Sequence, residues 1–172
     1  MAKRRWSSRS PSTEARPMSG IGAPRWLSTL GAWLLAAASP AQTLSNTGAL
    51  SFGAFTAGGG GSITVTPGGA RSKTGGVILV SQSGTASAAQ FTISGTPNAA
   101  FAITLPADGT VLLSDGAAAT MALKSFTSSP SLTGMLGGGG TASISVGATL
   151  TVGNGQTPAS YSGAFTVTVN YQ

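Results

Sequence analysis

The 172-residue sequence contains no cysteine and no histidine, and only 7% of its residues are charged. Without thiols there are no disulfide staples and no thiolate metal sites. Without imidazoles as well, Ser-His-Asp and Cys-His nucleophilic arrangements are excluded, and a zinc site loses its usual ligands. The acidic residues are Glu14, Asp108 and Asp115. Both aspartates precede a glycine, so turn formation accounts for them. With the intervening "GTVLLS" extended they stand on the order of 23 Å apart, whereas paired glycosidase carboxylates stand roughly 5–10 Å apart. Two separated aspartates also give a calcium site little to build on. Lys73 and Lys124 lack the Ser-x-x-Lys spacing, and the neighbouring Ser72 and Ser125 would point to the opposite face of a strand. The expectation is a protein that is not an enzyme and carries no cofactor and no metal.

The net charge of +6 is unevenly spread. Lys3, Arg4, Arg5, Arg9, Arg16 and Arg25 all precede residue 42, as do the tryptophans Trp6, Trp26 and Trp33. Beyond that point Arg71, Lys73 and Lys124 face Asp108 and Asp115, a net of +1. A nearly neutral domain has no footprint for phosphate, so nucleic acid is not an expected partner.

Residues 1–41 have the layout of a cleavable signal peptide. A basic stretch precedes the apolar run "WLSTLGAWLLAAA" (Trp26 to Ala38), and "SPAQ" follows. Ser39 and Ala41 are small residues at the −3 and −1 positions of a cut between Ala41 and Gln42. The run is too short to cross a bilayer, which takes about 20 residues. Met18 is an alternative start that would give ordinary signal proportions, with residues 1–17 as an extension. The expected mature chain is a single domain, 42–172, without a transmembrane segment, located in the periplasm, at the cell surface or outside the cell.

Period-2 alternation dominates that chain, the pattern of half-buried strands. "SITVT" puts Ile63 and Val65 on one face, "QFTIS" puts Phe91 and Ile93, and "FAITL" puts Phe101, Ile103 and Leu105. The longest case, "ASISVGATLTV", aligns Ala142, Ile144, Val146, Ala148, Leu150 and Val152. The continuous run Val77 to Val80 suits a strand buried on both faces or crossing between sheets. In "TMALKSF" Phe126 falls out of step with Met121 and Leu123, which predicts a β-bulge near Lys124 and Ser125. Turn signals separate these runs: Asp108-Gly109, Asp115-Gly116 and Asn154-Gly155 favour tight hairpins. Gly58 to Gly61 and Gly137 to Gly140 predict flexible hairpin tips, since neither has the Lys-Ser/Thr pair of a phosphate loop. "GGARSKTGG" is expected to be a solvated hairpin loop. About eight or nine short strands with regular turns predict an all-β, antiparallel sandwich or barrel.

The stretches "LSFGAFTAGGGGSITVTPGGARSKTGGVILV", "AAQFTISGTPNAAFAITLP", "MALKSFTSSP" and "VGATLTVGNGQTPASYSGAFTVTVNYQ" resemble secreted bacterial proteins of the domain-of-unknown-function 4402 family. That family is in turn similar to spore-coat-U and fimbrial-subunit proteins, through "LSFG" near the mature start and a penultimate tyrosine, here Tyr171. The resemblance implies an immunoglobulin-like β-sandwich that lacks a strand, supplied by a periplasmic chaperone of a chaperone–usher system and then by a like subunit. It implies a C-terminal pairing strand whose register and burial are set by Tyr161, Gly163, Phe165, Val167, Val169 and Tyr171. Three features depart from the fimbrial pattern. Only "QTLSNTG" precedes "ALSFGAF", Ala159 stands where fimbrial subunits commonly have glycine, and there is no disulfide. The functional expectation is a secreted structural protein of the bacterial cell surface, fimbria- or coat-like. The alternative is a monomeric exported binding module, adhesin-like or specific for a glycan, and a secreted enzyme ranks third.

Overall fold

The computed structural model describes residues 42–80 and 84–172. The expected signal peptide, the Met18 start and Ala41 lie outside the described residues. The strands are β1 (Thr43–Gly48), β2 (Phe55–Thr56), β3 (Gly61–Val65), β4 (Arg71–Gly75), β5 (Ile78–Leu79), β6 (Ala89–Ser94), β7 (Ala100–Thr104), β8 (Val111–Ser114), β9 (Thr120–Ser129), β10 (Thr133–Met135), β11 (Thr141–Val152) and β12 (Thr168–Tyr171). Nine of these are four residues or longer. All pairings among them are antiparallel, and no helix occurs among the described residues.

β11 organises the fold. Its first half pairs with β6, from Thr141↔Ser94 to Val146↔Ala89, and its second half pairs with β3, from Ala148↔Val65 to Val152↔Gly61. β9 pairs along the opposite edge of β11, and β1, β4 and β8 extend the seven-stranded sheet outward. β6 and β3 therefore meet end to end beside Gly147, where the backbones come too close for a side chain. A Cβ on Gly147 would lie 2.2 Å from the Val65 carbonyl oxygen and 2.7 Å from the Thr66 carbonyl carbon. A second, three-stranded sheet has the order β10-β7-β12, and β2 pairs with β5.

The apolar phase of the longer core strands points into one of two clusters. Ile63, Val65, Leu123, Ala148, Leu150 and Val152 belong to the first, and Phe91, Ile93, Phe101, Ile103, Ile144 and Val146 to the second. Leu50, Phe126 and Phe165 pack against both. Phe165 meets Phe91 edge-on at 6.3 Å and Phe126 at 5.4 Å between ring centroids, separations at which aromatic pairs attract beyond their area burial. The polar phase is bonded across strands, Thr64 Oγ1 to Thr149 Oγ1 at 2.9 Å and Ser62 Oγ to Thr74 Oγ1 at 2.7 Å. Such cross-strand pairs are the unit of sheet stabilisation.

The slip in "TMALKSF" is a bulge. Opposite it, β11 advances from Gly147 to Thr149 while β9 goes from Thr127 to Lys124. Ser125 takes φ 49°, and Asp108 Oδ1 accepts a hydrogen bond from its amide at 2.7 Å. One extra residue thus lets both Leu123 and Phe126 face inward.

Several local expectations are corrected. Asp115-Gly116 does turn the β8–β9 hairpin, with Asp115 Oδ1 accepting from the amides of Ala117 and Ala119. Asp108-Gly109 instead links β7 and β8, which belong to different sheets, and Asn154-Gly155 follows β11 into a long strandless stretch. The backbone turns at all three places, but a hairpin needs a partner strand, and only Asp115-Gly116 has one. The glycine run 58–61 is likewise no hairpin tip. It joins β2 to β3 and packs against the β4 end, where a Cβ on Gly61 would lie 2.1 Å from the Thr74 carbonyl oxygen. The run 137–140 turns between β10 and β11, again from one sheet to the other. Ile78 is 58% exposed, so the Val77–Val80 run is not buried on both faces; the other reading fits, since the run contains β5 and carries the chain from the sheet of β4 into that of β2 and β5. The basic stretch is strand rather than loop, because the β3–β4 turn falls earlier, at Thr66 to Ala70.

Candidate functional site

Among the described residues, the titratable side chains form no catalytic constellation. Asp108 and Asp115 stand at opposite ends of β8 and each serves a turn or bulge. Ser72 and Lys73 are exposed on β4, and Ser125 holds the bulge beside exposed Lys124. Arg71, which the sequence reading assigned to a solvated loop, is partly buried. Its Nη1 donates to the carbonyls of Phe52 at 3.0 Å and Ala54 at 3.2 Å, and Nη2 to that of Val80 at 3.5 Å. This cation binds the chain's own backbone. Its strand phase could have hinted at the role, but its acceptors lie on segments that only folding brings near.

A shallow open depression of about 360 Å³ is lined by Leu105, Pro106, Val111, Phe165, Thr166 and Thr168, among others, with no titratable group. It adjoins the C-terminal strand, the feature with most chemical potential. β12 pairs with β7 from Thr168↔Thr104 to Tyr171↔Phe101 and, among the described residues, has no partner strand on its other side. The Gln172 amide donates to the Ala100 carbonyl at 2.9 Å. Because antiparallel residues alternate between bonded and non-bonded pairs, Thr168 and Asn170 also turn their amides toward β7. The N–H and C=O groups of Val169 and Tyr171 then point to the open edge.

The six residues expected to share the C-terminal strand are placed as follows. Val169 and Tyr171 lie in β12, half-buried, and Val167 just before it is buried. Phe165 sits between the two core clusters. Gly163 is exposed beside the isolated Ser114–Ser162 bridge. Tyr161 donates its hydroxyl to the Thr157 carbonyl and accepts from Gln156 Nε2. Inward and outward positions alternate from Phe165 to Gln172, but ladder bonds begin only at Thr168, because β7 ends at Thr104. At the far end the Tyr171 hydroxyl donates to the Ser94 carbonyl at 3.3 Å, tying β12 to the end of β6. Gln42, next to the expected cleavage position, is exposed and leads into β1, which pairs with β6. The six residues Thr43–Gly48 are thus engaged within the chain's own sheet.

An all-β, antiparallel protein whose C-terminal strand, among the described residues, pairs on one side only is what the fold and this edge define. The chain belongs to the family described as a domain of unknown function, DUF4402, whose model matches residues 43–171. No curated protein and no solved structure matches it.

Proposed function

We propose that this chain is an exported, non-enzymatic structural protein of the bacterial cell surface, an immunoglobulin-like β-sandwich that acts by pairing strands with a partner chain. The observation that carries the reading is the open edge of β12. It presents unpaired main-chain groups beside an apolar core containing Val167, Val169 and Tyr171, the combination that accepts an added strand. Other edges are blunted, as soluble sheet proteins require. β4 carries exposed Lys73, β8 is met by Ser162, and β10 is three residues long. β1 has no apolar flank, its residues Thr43 to Thr47 being exposed on both faces.

The test is to express the full chain with its own N-terminus in a bacterium and analyse the exported fraction. The expected product begins at Gln42 and runs as a detergent-resistant oligomer, a dimer or larger, that collapses to monomer on boiling. Retention of residues 1–41 would refute export. A product that elutes only as a monomer would refute the pairing role.

A further inference from the structure

We infer that the strand accepted by the open edge of β12 is β12 of a second copy, paired antiparallel about Val169; this deepens the proposed pairing role and rests on it. The edge is self-complementary. Val167, Val169 and Tyr171 carry both the inward apolar side chains and, by alternation from the Gln172–Ala100 bond, the outward main-chain groups. A two-fold axis through Val169 sets Val169 opposite itself and Val167 opposite Tyr171. Each donor then meets an acceptor, and each apolar side chain meets another, on the buried face of the combined sheet.

Charge agrees with this arrangement. The side chains of Thr168, Val169, Asn170, Tyr171 and Gln172 are all uncharged, so no like-charged side chains face each other across the pair, the opposition that destabilises cross-strand pairs. The register of β12 on β7 is regular through all four pairs, with no bulge to twist the edge away. The contact needs no segment to leave its place, and β1 stays on β6. It is isologous and therefore closed, joining two three-stranded sheets into one of six strands.

The pairing predicts one specific cross-link, readable because the chain has no cysteine of its own. Thr168 of one copy falls opposite Asn170 of the other, in a non-bonded pair with Cα atoms about 4.5 Å apart, within disulfide range. Like residues, 168 with 168 or 170 with 170, stand diagonally at roughly 7–8 Å, beyond that range. Both side chains are exposed, so Thr168→Cys and Asn170→Cys leave the core intact.

The experiment mixes the two exported, purified variants under mild oxidation. The expected product is a 168–170 disulfide dimer in the mixture and little dimer in either variant alone. In the unmodified protein, amide exchange at Val169 and Tyr171 is expected to slow as concentration rises, a reading that needs no variant. Multimers without this cross-link or this protection would overturn the second-copy assignment and leave strand pairing with another partner standing. Monomers across a wide range of concentrations would overturn both.

Discussion

Replacing Gly147 by alanine tests the central feature of the fold, the end-to-end meeting of β6 and β3 along β11. The added Cβ would lie 2.2 Å from the Val65 oxygen, 2.7 Å from the Thr66 carbonyl carbon and 2.8 Å from the Pro67 nitrogen. All three are backbone atoms, so no side chain can swing aside. Ordinary contact requires the strand end to retreat by about 1 Å, which loosens the Ala148↔Val65 pair and lifts fully buried Val65 off its neighbours. One or two weakened backbone hydrogen bonds cost about 1 kcal/mol each, and overpacking adds roughly 1–3 kcal/mol. The sum is about 3 kcal/mol, which for a domain of this size lowers Tm by roughly 12 °C. Thermal and urea unfolding followed by circular dichroism measure it, with Gly138→Ala as the control. A Cβ there meets nothing within 4 Å, so its effect should stay within about 0.5 kcal/mol. If Gly147→Ala and Gly138→Ala unfold together, β6 and β3 do not meet at this glycine and the topology drawn from it is wrong.

Other perturbations read other parts of the structure. Arg71→Met removes a donor shared by three carbonyls and should destabilise by about 2 kcal/mol in urea unfolding, and Arg71→Lys should recover less than half, because a single ammonium cannot span them. Asp108→Ala leaves the bulge amide of Ser125 without its acceptor and should cost about 1 kcal/mol, whereas Asp108→Asn keeps an oxygen there and should cost less; equal losses would argue against the hydrogen bond. Deleting Val169 to Gln172 strips β12 from β7 and uncovers buried Phe101 and Ile103. The truncated chain should fail to accumulate in protease-resistant form outside the cytoplasm, and normal accumulation would make the last strand dispensable.

Much of the strand phase was legible in the residues themselves. Ile63 and Val65, Phe91 and Ile93, and Ile144 through Val152 face inward where period-2 alternation puts them, because successive side chains on any strand point to opposite faces. The bulge at Ser125 was legible for the same reason: Phe126 breaks step with Leu123, and only an inserted residue brings both to the core. These are local consequences of backbone geometry. Tertiary structure decided what alternation is silent about, namely which strand lies beside which. Arg71 looks like a solvated cation until Phe52, Ala54 and Val80 bring their carbonyls to it. Glycine pairs turn the chain wherever they occur, yet only Asp115-Gly116 makes a hairpin of the three, because only there does the returning chain find its neighbour. The closing stretch carries both lessons. Its alternation from Phe165 to Tyr171 is written in the sequence, but its ladder bonds begin at Thr168, where β7 is long enough to meet it. That β12 pairs on one side and stays open on the other depends on contacts between distant segments, which no short window of residues contains.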